Sequence, residues 1–94
     1  MNIFYFDWGR ENSTVYRMDT TNGKGLKPRV VRGSLDDQVE LLVDLVENNR
    51  PHKIIFDESD MGAIFKNRFA KLGSGKGIYL DKSGNLQYLD QILL

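Results

Sequence analysis

The chain has 94 residues, 40% of them hydrophobic and 28% charged, enough for one packed domain over residues 1–94 and too few for a multidomain motor or synthase. Thirteen Lys and Arg balance thirteen Asp and Glu. That balance removes the global positive field behind most non-specific nucleic-acid binding, so any nucleic acid must be held by a local patch. With no cysteine and a single histidine, His52, disulfides, thiolate zinc sites, cysteine nucleophiles and histidine-rich metal cages are excluded. Carboxylates are the plentiful ligands left, and they suit Mg²⁺, Mn²⁺ or Ca²⁺. Met1 to Asp7 lacks the basic start and long apolar run of a signal peptide, and no segment nears the roughly 18 apolar residues of a membrane span. The expectation is a cytoplasmic protein with no membrane partner.

In chain order, Ile3 to Trp8 is a short apolar and aromatic run closed by Gly9, which predicts a strand buried on both faces. Gly9 to Asn12 turns the chain into a second strand, Ser13 to Met18, and the two should form a hairpin. The loop Thr20 to Gly25 contains an Asn-Gly pair suited to a tight turn. Pro28 to Arg32 follows as a third strand, and Pro28 confines its beginning to an edge or strand start. Ser34 fits a helix N-cap, with Asp36 and Asp37 in the first turn, where the helix dipole favours negative charge. Leu35, Val39, Leu42, Val43 and Val46 recur at helical spacing opposite Asp36, Glu40, Asp44 and Glu47, and Pro51 ends the helix near Asn48-Asn49. Lys53 to Asp57 reads as a fourth strand. Asp60 or Ser59 caps a second helix whose apolar face is Met61, Ile64, Phe65, Phe69 and Leu72, with Gly73 as its stop. Gly77 to Asp81 is a possible fifth strand. Leu86 to Leu94 is ambiguous between helix and strand, and its apolar Ile92-Leu93-Leu94 end is expected to pack on the core or on a second subunit. The reading is an α/β domain in βββαβαβ order, a small mixed sheet of about five strands with two amphipathic helices.

Asp7 and Asp57 both lie at the ends of otherwise apolar strands. An ionised carboxylate there is costly unless it is paired, hydrogen-bonded or bound to a cation. Should the two strands be neighbours, the pair could hold Mg²⁺ that polarises a phosphodiester and lowers the pKa of an attacking water. The competing reading is structural: strand-end Asp residues often bond turn amides, and this applies strongly to Asp57-Glu58-Ser59-Asp60.

The stretch Phe6-Asp7-Trp8-Gly9-Arg10-Glu11-Asn12-Ser13-Thr14-Val15 resembles the opening strand and turn of ribonuclease H-like nucleases, especially the nuclease domain of phage large terminase subunits. Leu41 to Leu72 resembles the same domain's helix, its Asn-Arg-Pro-His-Lys lead-in, the acid-ending strand Ile54-Ile55-Phe56-Asp57 and the helix from Met61-Gly62 to Phe69. The resemblance spans roughly residues 3 to 73. It implies a ribonuclease H-like fold, a phage or prophage origin, and Mg²⁺ or Mn²⁺ held by Asp7 and Asp57 with Glu58 as the nearest substitute. Family nucleases take a further acid from a later C-terminal element, where this chain offers only Asp81 and Asp90. An ATPase portion is also lacking. The rival expectation is therefore a catalytically inactive module of the same fold that engages a host or phage protein, as a dimer formed through the C-terminal tail.

Lys66, Arg68, Lys71, Lys76 and Lys82 make the segment after residue 62 basic, whereas Ser34 to Asp60 holds eight acids against Arg50 and Lys53. Lys66, Arg68, Lys71 and Lys76 are candidate phosphate contacts beside an acidic metal site. The plainer reading makes them the solvated faces of amphipathic helices. Lys24, Lys27, Arg29 and Arg32 could also contact phosphates, or serve to discourage edge-strand aggregation. Leu72 to Gly77 superficially resembles a phosphate loop, but its Lys is followed by Gly and it follows a helix. Trp8 reads as core packing more than base stacking, and His52 as a surface loop residue.

Overall fold

The computed structural model describes residues 1–92. Its elements are β1 (Asn2–Asp7), β2 (Asn12–Asp19), β3 (Lys24–Arg32), α1 (Leu35–Asn49), β4 (Lys53–Phe56), α2 (Asp60–Ser74), β5 (Ile78–Leu80), β6 (Leu86–Tyr88) and α3 (Leu89–Ile92). The class is mixed α/β as expected, but the strand arrangement differs. Four strands form the main sheet in the order β3-β2-β1-β4, and β5 pairs with β6 in a separate two-stranded sheet. Within the main sheet β1 runs antiparallel to β2 and parallel to β4, and β2 runs antiparallel to β3. Among the described residues no helix is long and apolar enough to cross a membrane.

Each long helix starts where its capping chemistry dictates. At α1 the Ser34 hydroxyl accepts from the Asp37 N–H at 3.2 Å while the Asp37 carboxylate accepts from the Ser34 N–H at 3.1 Å, a reciprocal capping box. At α2 the cap is Ser59, whose hydroxyl accepts from the Gly62 N–H at 2.9 Å. That helix continues one residue past the expected stop at Gly73, to Ser74. Arg50 closes α1 in the left-handed conformation (φ 49°), with its N–H on the Val46 carbonyl at 2.7 Å. The neighbouring Pro51 bars another helical turn.

Both long helices bury their apolar faces on one side of the main sheet. Phe4 and Phe6 of β1, Val15 of β2, Val31 of β3 and Ile54 of β4 meet Val39, Leu42, Val43 and Val46 of α1 and Phe65 and Phe69 of α2 in one cluster. Phe6 stands 4.7 Å from Phe65 and 5.5 Å from Phe56, ring centre to ring centre. Two expectations are corrected here. The first strand is buried on one face only, since Tyr5 and Asp7, on either side of buried Phe6, are exposed. Ile64, expected on the core face of α2, is exposed. The main sheet alternates because it has a helical layer on one side.

The fifth strand does not join the main sheet, because the outer edge of β4 is taken by the turn leading into β6. The Ile54 N–H donates to the Gly84 carbonyl and the Leu86 N–H to the His52 carbonyl, both at 2.9 Å. Gly84 has φ +88°, and a Cβ there would strike the Ile54 carbonyl oxygen, so this approach requires glycine. The segment left ambiguous after Asn85 is both things in turn, strand β6 and then the single turn α3. The expected burial of the Ile92-Leu93-Leu94 end, and a dimer contact through it, lie outside the described residues.

One buried polar pair ties α1 to β2. The Ser13 hydroxyl donates to Gln38 Oε1 at 2.6 Å, Gln38 Nε2 donates to the Gly33 carbonyl at 3.2 Å, and both residues are buried. Replacing Gln38 by Leu keeps the volume but strands the Ser13 hydroxyl and the Gly33 carbonyl. Urea unfolding should show a loss of about 1–3 kcal/mol for Gln38→Leu, with part of it recovered in the Ser13→Ala/Gln38→Leu double variant. A single variant as stable as wild type would refute this role.

Candidate functional site

The parallel register of β1 and β4 pairs Phe6 with Phe56, so the next residues, Asp7 and Asp57, stand at neighbouring strand ends. The Asp57 N–H extends the ladder by donating to the Phe6 carbonyl at 3.1 Å. The expected juxtaposition of the two backbone positions is therefore present. Their side chains differ in circumstance. Asp7 is exposed at the end of β1. Asp57 is half-buried, and its carboxylate is tied into the turn between β4 and α2.

Three protein donors converge on Asp57. Its Oδ2 accepts from the Trp8 N–H at 2.6 Å, and its Oδ1 accepts from the Ser59 N–H at 3.2 Å and from the Ser59 hydroxyl. The same Ser59 hydroxyl caps α2, so one carboxylate couples the end of β1, the end of β4 and the start of a helix. Burial pushes the Asp57 carboxyl upward, but the Ser59 hydroxyl and the Trp8 and Ser59 amides outweigh it and hold it below the usual carboxylate value. A carboxylate offers about four lone-pair positions. Three are used here, which leaves one on Oδ2 for a further ligand.

Glu58, next in the chain, is exposed. The two later acids sit in other roles. Asp81 accepts from the Ser83 N–H at 2.8 Å, the Asn85 N–H at 2.9 Å and the Asn85 side-chain amide at 3.1 Å, which organises the β5–β6 turn. Asp90 forms a two-point ion pair with Arg50 at 2.5 and 2.8 Å. Arg50 closes α1 and so precedes β4, away from Asp57 at the far end of that strand. Among the described residues no three His, Cys, Asp or Glu side chains gather in a metal-sized group.

The four basic candidates on and after α2 do not form one face. Arg68 pairs with Asp36 of α1 at 2.7 Å and Lys76 with Asp44 of α1 at 3.4 Å. Lys66, two residues before Arg68 and so on another side of the helix, reaches the Lys82 carbonyl at 3.4 Å instead. Lys71 lines the groove between the helices together with Asp36 and Glu40. The stretch resembling a phosphate loop is the end of α2 and the turn after it, where the Lys76 N–H donates to the Gly73 carbonyl and the Gly77 N–H to the Ser74 carbonyl. His52 is exposed, as expected, and Trp8 is half-buried against the core.

Two features of the structure have no signal in the sequence. The first is the Arg50 cluster: the guanidinium lies 4.5 Å from the Tyr88 ring centre, and the Tyr88 hydroxyl donates to the Pro51 carbonyl at 2.7 Å. Burial raises the Tyr88 hydroxyl to about 12 despite the nearby Arg50 charge. No local pattern announces contacts between residues about forty positions apart. The second is Gly62. A Cβ at this position would collide with the Asp57 carbonyl oxygen and Oδ1, so glycine lets α2 begin directly against the acid.

Two outcomes follow for the turn. Asp57 has a lowered pKa in the folded chain, so its contribution is complete above the unfolded carboxylate value of 3.8 and is lost as the pH falls through the folded value. Asp57→Asn should cost about 1–3 kcal/mol at neutral pH and converge with wild type in strong acid, as read by urea unfolding across pH. Gly62→Ala should lower the melting temperature by at least several degrees, since about 1 kcal/mol shifts a domain of this size by roughly 4–8 °C. A wild-type melting curve would refute the close packing. No protein-family model, curated protein or solved structure matches the chain, so function is argued from the site alone.

Proposed function

We propose that the chain is a small phage or prophage domain of ribonuclease H-like organisation whose β1–β4 rim binds a divalent cation for phosphodiester hydrolysis in nucleic acid. The observation that carries this reading is the parallel, in-register pairing of β1 and β4, which sets Asp7 and Asp57 at adjacent strand ends. The residues suit such an ion. Two carboxylate side chains with room for water are the donor set that Mg²⁺ and Mn²⁺ accept. Asp7 would supply exposed oxygens, and Asp57 its remaining lone pair on Oδ2. The Trp8 and Ser59 donors would hold the Asp57 carboxylate ionised and fixed in direction, as a second shell does for a metal ligand. When bound, the cation would polarise the phosphodiester and acidify an attacking water. Glu58, next to Asp57 in the chain, is the further acid that the resemblance offers.

A second reading is favoured by one observation. Three of the four lone-pair positions of Asp57 already serve the fold, as they would in a catalytically inactive module that keeps the architecture and engages a host or phage protein.

Calorimetric titration with Mn²⁺ separates the two. The nuclease reading expects saturable binding that is lost in Asp7→Asn, a substitution at an exposed side chain that leaves the melting temperature unchanged. It also expects Mn²⁺-dependent cleavage of nucleic acid that disappears with the same substitution. No heat at millimolar Mn²⁺, or equal binding by the variant, would remove the nuclease reading in favour of the inactive module.

A further inference from the structure

A cleft of about 450 Å³ opens beside Asp57, between α2 and the turn that joins β5 to β6. Ser59, Gly62, Ala63 and Lys66 form one wall, at the i, i+3, i+4 and i+7 spacing of a single helix face, and Lys82 and Gly84 belong to the other. At 1.5 Å per residue, Lys66 stands about 10 Å along the helix from Ser59. The opposite wall has the same reach. Gly84 is bonded to Ile54, three residues before Asp57, which is about 10 Å at 3.3 Å per strand residue. Asp57 and Glu58 therefore lie at one end of the cleft, and Lys66 and Lys82 at the other. Glycine and alanine between them keep the space open.

Both lysines are free to take an anion. Arg50, Arg68 and Lys76 are paired with acids, but among the described residues no carboxylate lies within ion-pair distance of Lys66 or Lys82. Lys66 is half-buried, and its ammonium spends one of three donors on the Lys82 carbonyl at 3.4 Å. Lys82 is exposed, and its neighbour Asp81 turns its carboxylate to the Ser83 and Asn85 amides. We propose that the cleft is a tract for the backbone of one nucleic-acid strand, with Lys66 and Lys82 together holding a phosphate away from the rim. At 3.4 Å per nucleotide, the 10 Å length places that phosphate about three steps from the bond at Asp7 and Asp57. Cleavage at the acidic end rests on the cation-binding reading of the rim, whereas the lysine end needs no metal. Phosphate is common to DNA and RNA, so the contact carries no sequence information and fixes where along a strand the rim acts.

The test is fluorescence anisotropy with a labelled oligodeoxythymidylate of about twelve nucleotides, in low salt with a chelator present, and with melting curves to confirm folding. Lys66→Gln and Lys82→Gln should each weaken binding by about fivefold, and the double variant should lower the salt slope by about 0.7, the value for one phosphate of a single strand. Lys66→Arg and Lys82→Arg, which keep the charge, should stay within about twofold of wild type. Lys71→Gln, which removes the same charge from the groove between the helices, should also change affinity by less than about twofold. A mononucleotide should bind at least about tenfold more weakly than the strand. The rim is tested separately by Mn²⁺-dependent hydrolysis of bis(p-nitrophenyl) phosphate, a diester too short to reach the lysines, which the Gln variants should hydrolyse like wild type. Absence of that hydrolysis in wild type would refute the rim reading and, with strand binding still weakened in the Gln variants, support the lysine end of the tract. The proposal is overturned by no strand binding at roughly 100 µM protein, by folded Gln variants of wild-type affinity, by an equal loss in Lys71→Gln, or by a mononucleotide that binds as tightly as the strand.

Discussion

Burial of both fifteen-residue helices against the same side of the main sheet is the constraint on which the rest of the molecule depends. Phe65 and Phe69 reach the sheet through Phe6 and Phe56, and Val39, Leu42, Val43 and Val46 fill the space beside them. Once that side is the core, each strand must alternate. Phe4, Phe6, Val15 and Ile54 turn inward, and Tyr5, Tyr16 and Ile55 turn outward. The outward set is therefore a consequence of where the helices lie, and a one-residue slip of β1 would exchange buried Phe6 for Asp7.

The local patterns that were legible in the sequence are those whose causes are local. Ser34 with Asp37 three residues later defines the start of α1, the 3.6-residue spacing of Val39 to Val46 its buried face, and Pro51 its end. Lys53 to Phe56 and the Ser59 cap were legible for the same reason. What was not legible depends on partners distant in the chain. The run Ile3 to Trp8 looks apolar enough for two-sided burial, and only the placement of α1 and α2 on a common side decides that Tyr5 stays exposed. The strand near Ile78 was readable as a strand, but its pairing was not. The Gly84 carbonyl captures the Ile54 N–H on the β4 edge, and that capture depends on tertiary approach.

For the candidate site, the acid-ending strands were readable, and so was the rival role for Asp57 as a turn acceptor. The geometry joins the two, because the acid at the β4 end is fixed by the Trp8 amide from the β1 end. The basic candidates illustrate the opposite case. Lys66, Arg68, Lys71 and Lys76 are close in sequence, but Lys66 lies on another side of α2 from Arg68 and Lys71, Lys76 lies beyond the end of the helix, and the acids of α1 pair with Arg68 and Lys76. Sequence proximity of like charges on a helix does not make a patch unless their spacing matches the helical repeat.

Charge segregation follows from the same architecture. The acids of α1 and cations of α2 lie in one layer, where exposed pairs such as Asp36–Arg68 are worth only about 0–1 kcal/mol each but balance one another's field. The β2–β3 hairpin lies at the far edge of the sheet, and apart from Asp19 the charged residues of its strands are all cations. Local neutralisation between the helices leaves the hairpin as the less compensated part of a chain with no net charge. A field of that kind acts at short range, within a Debye length of about 8–10 Å at physiological salt.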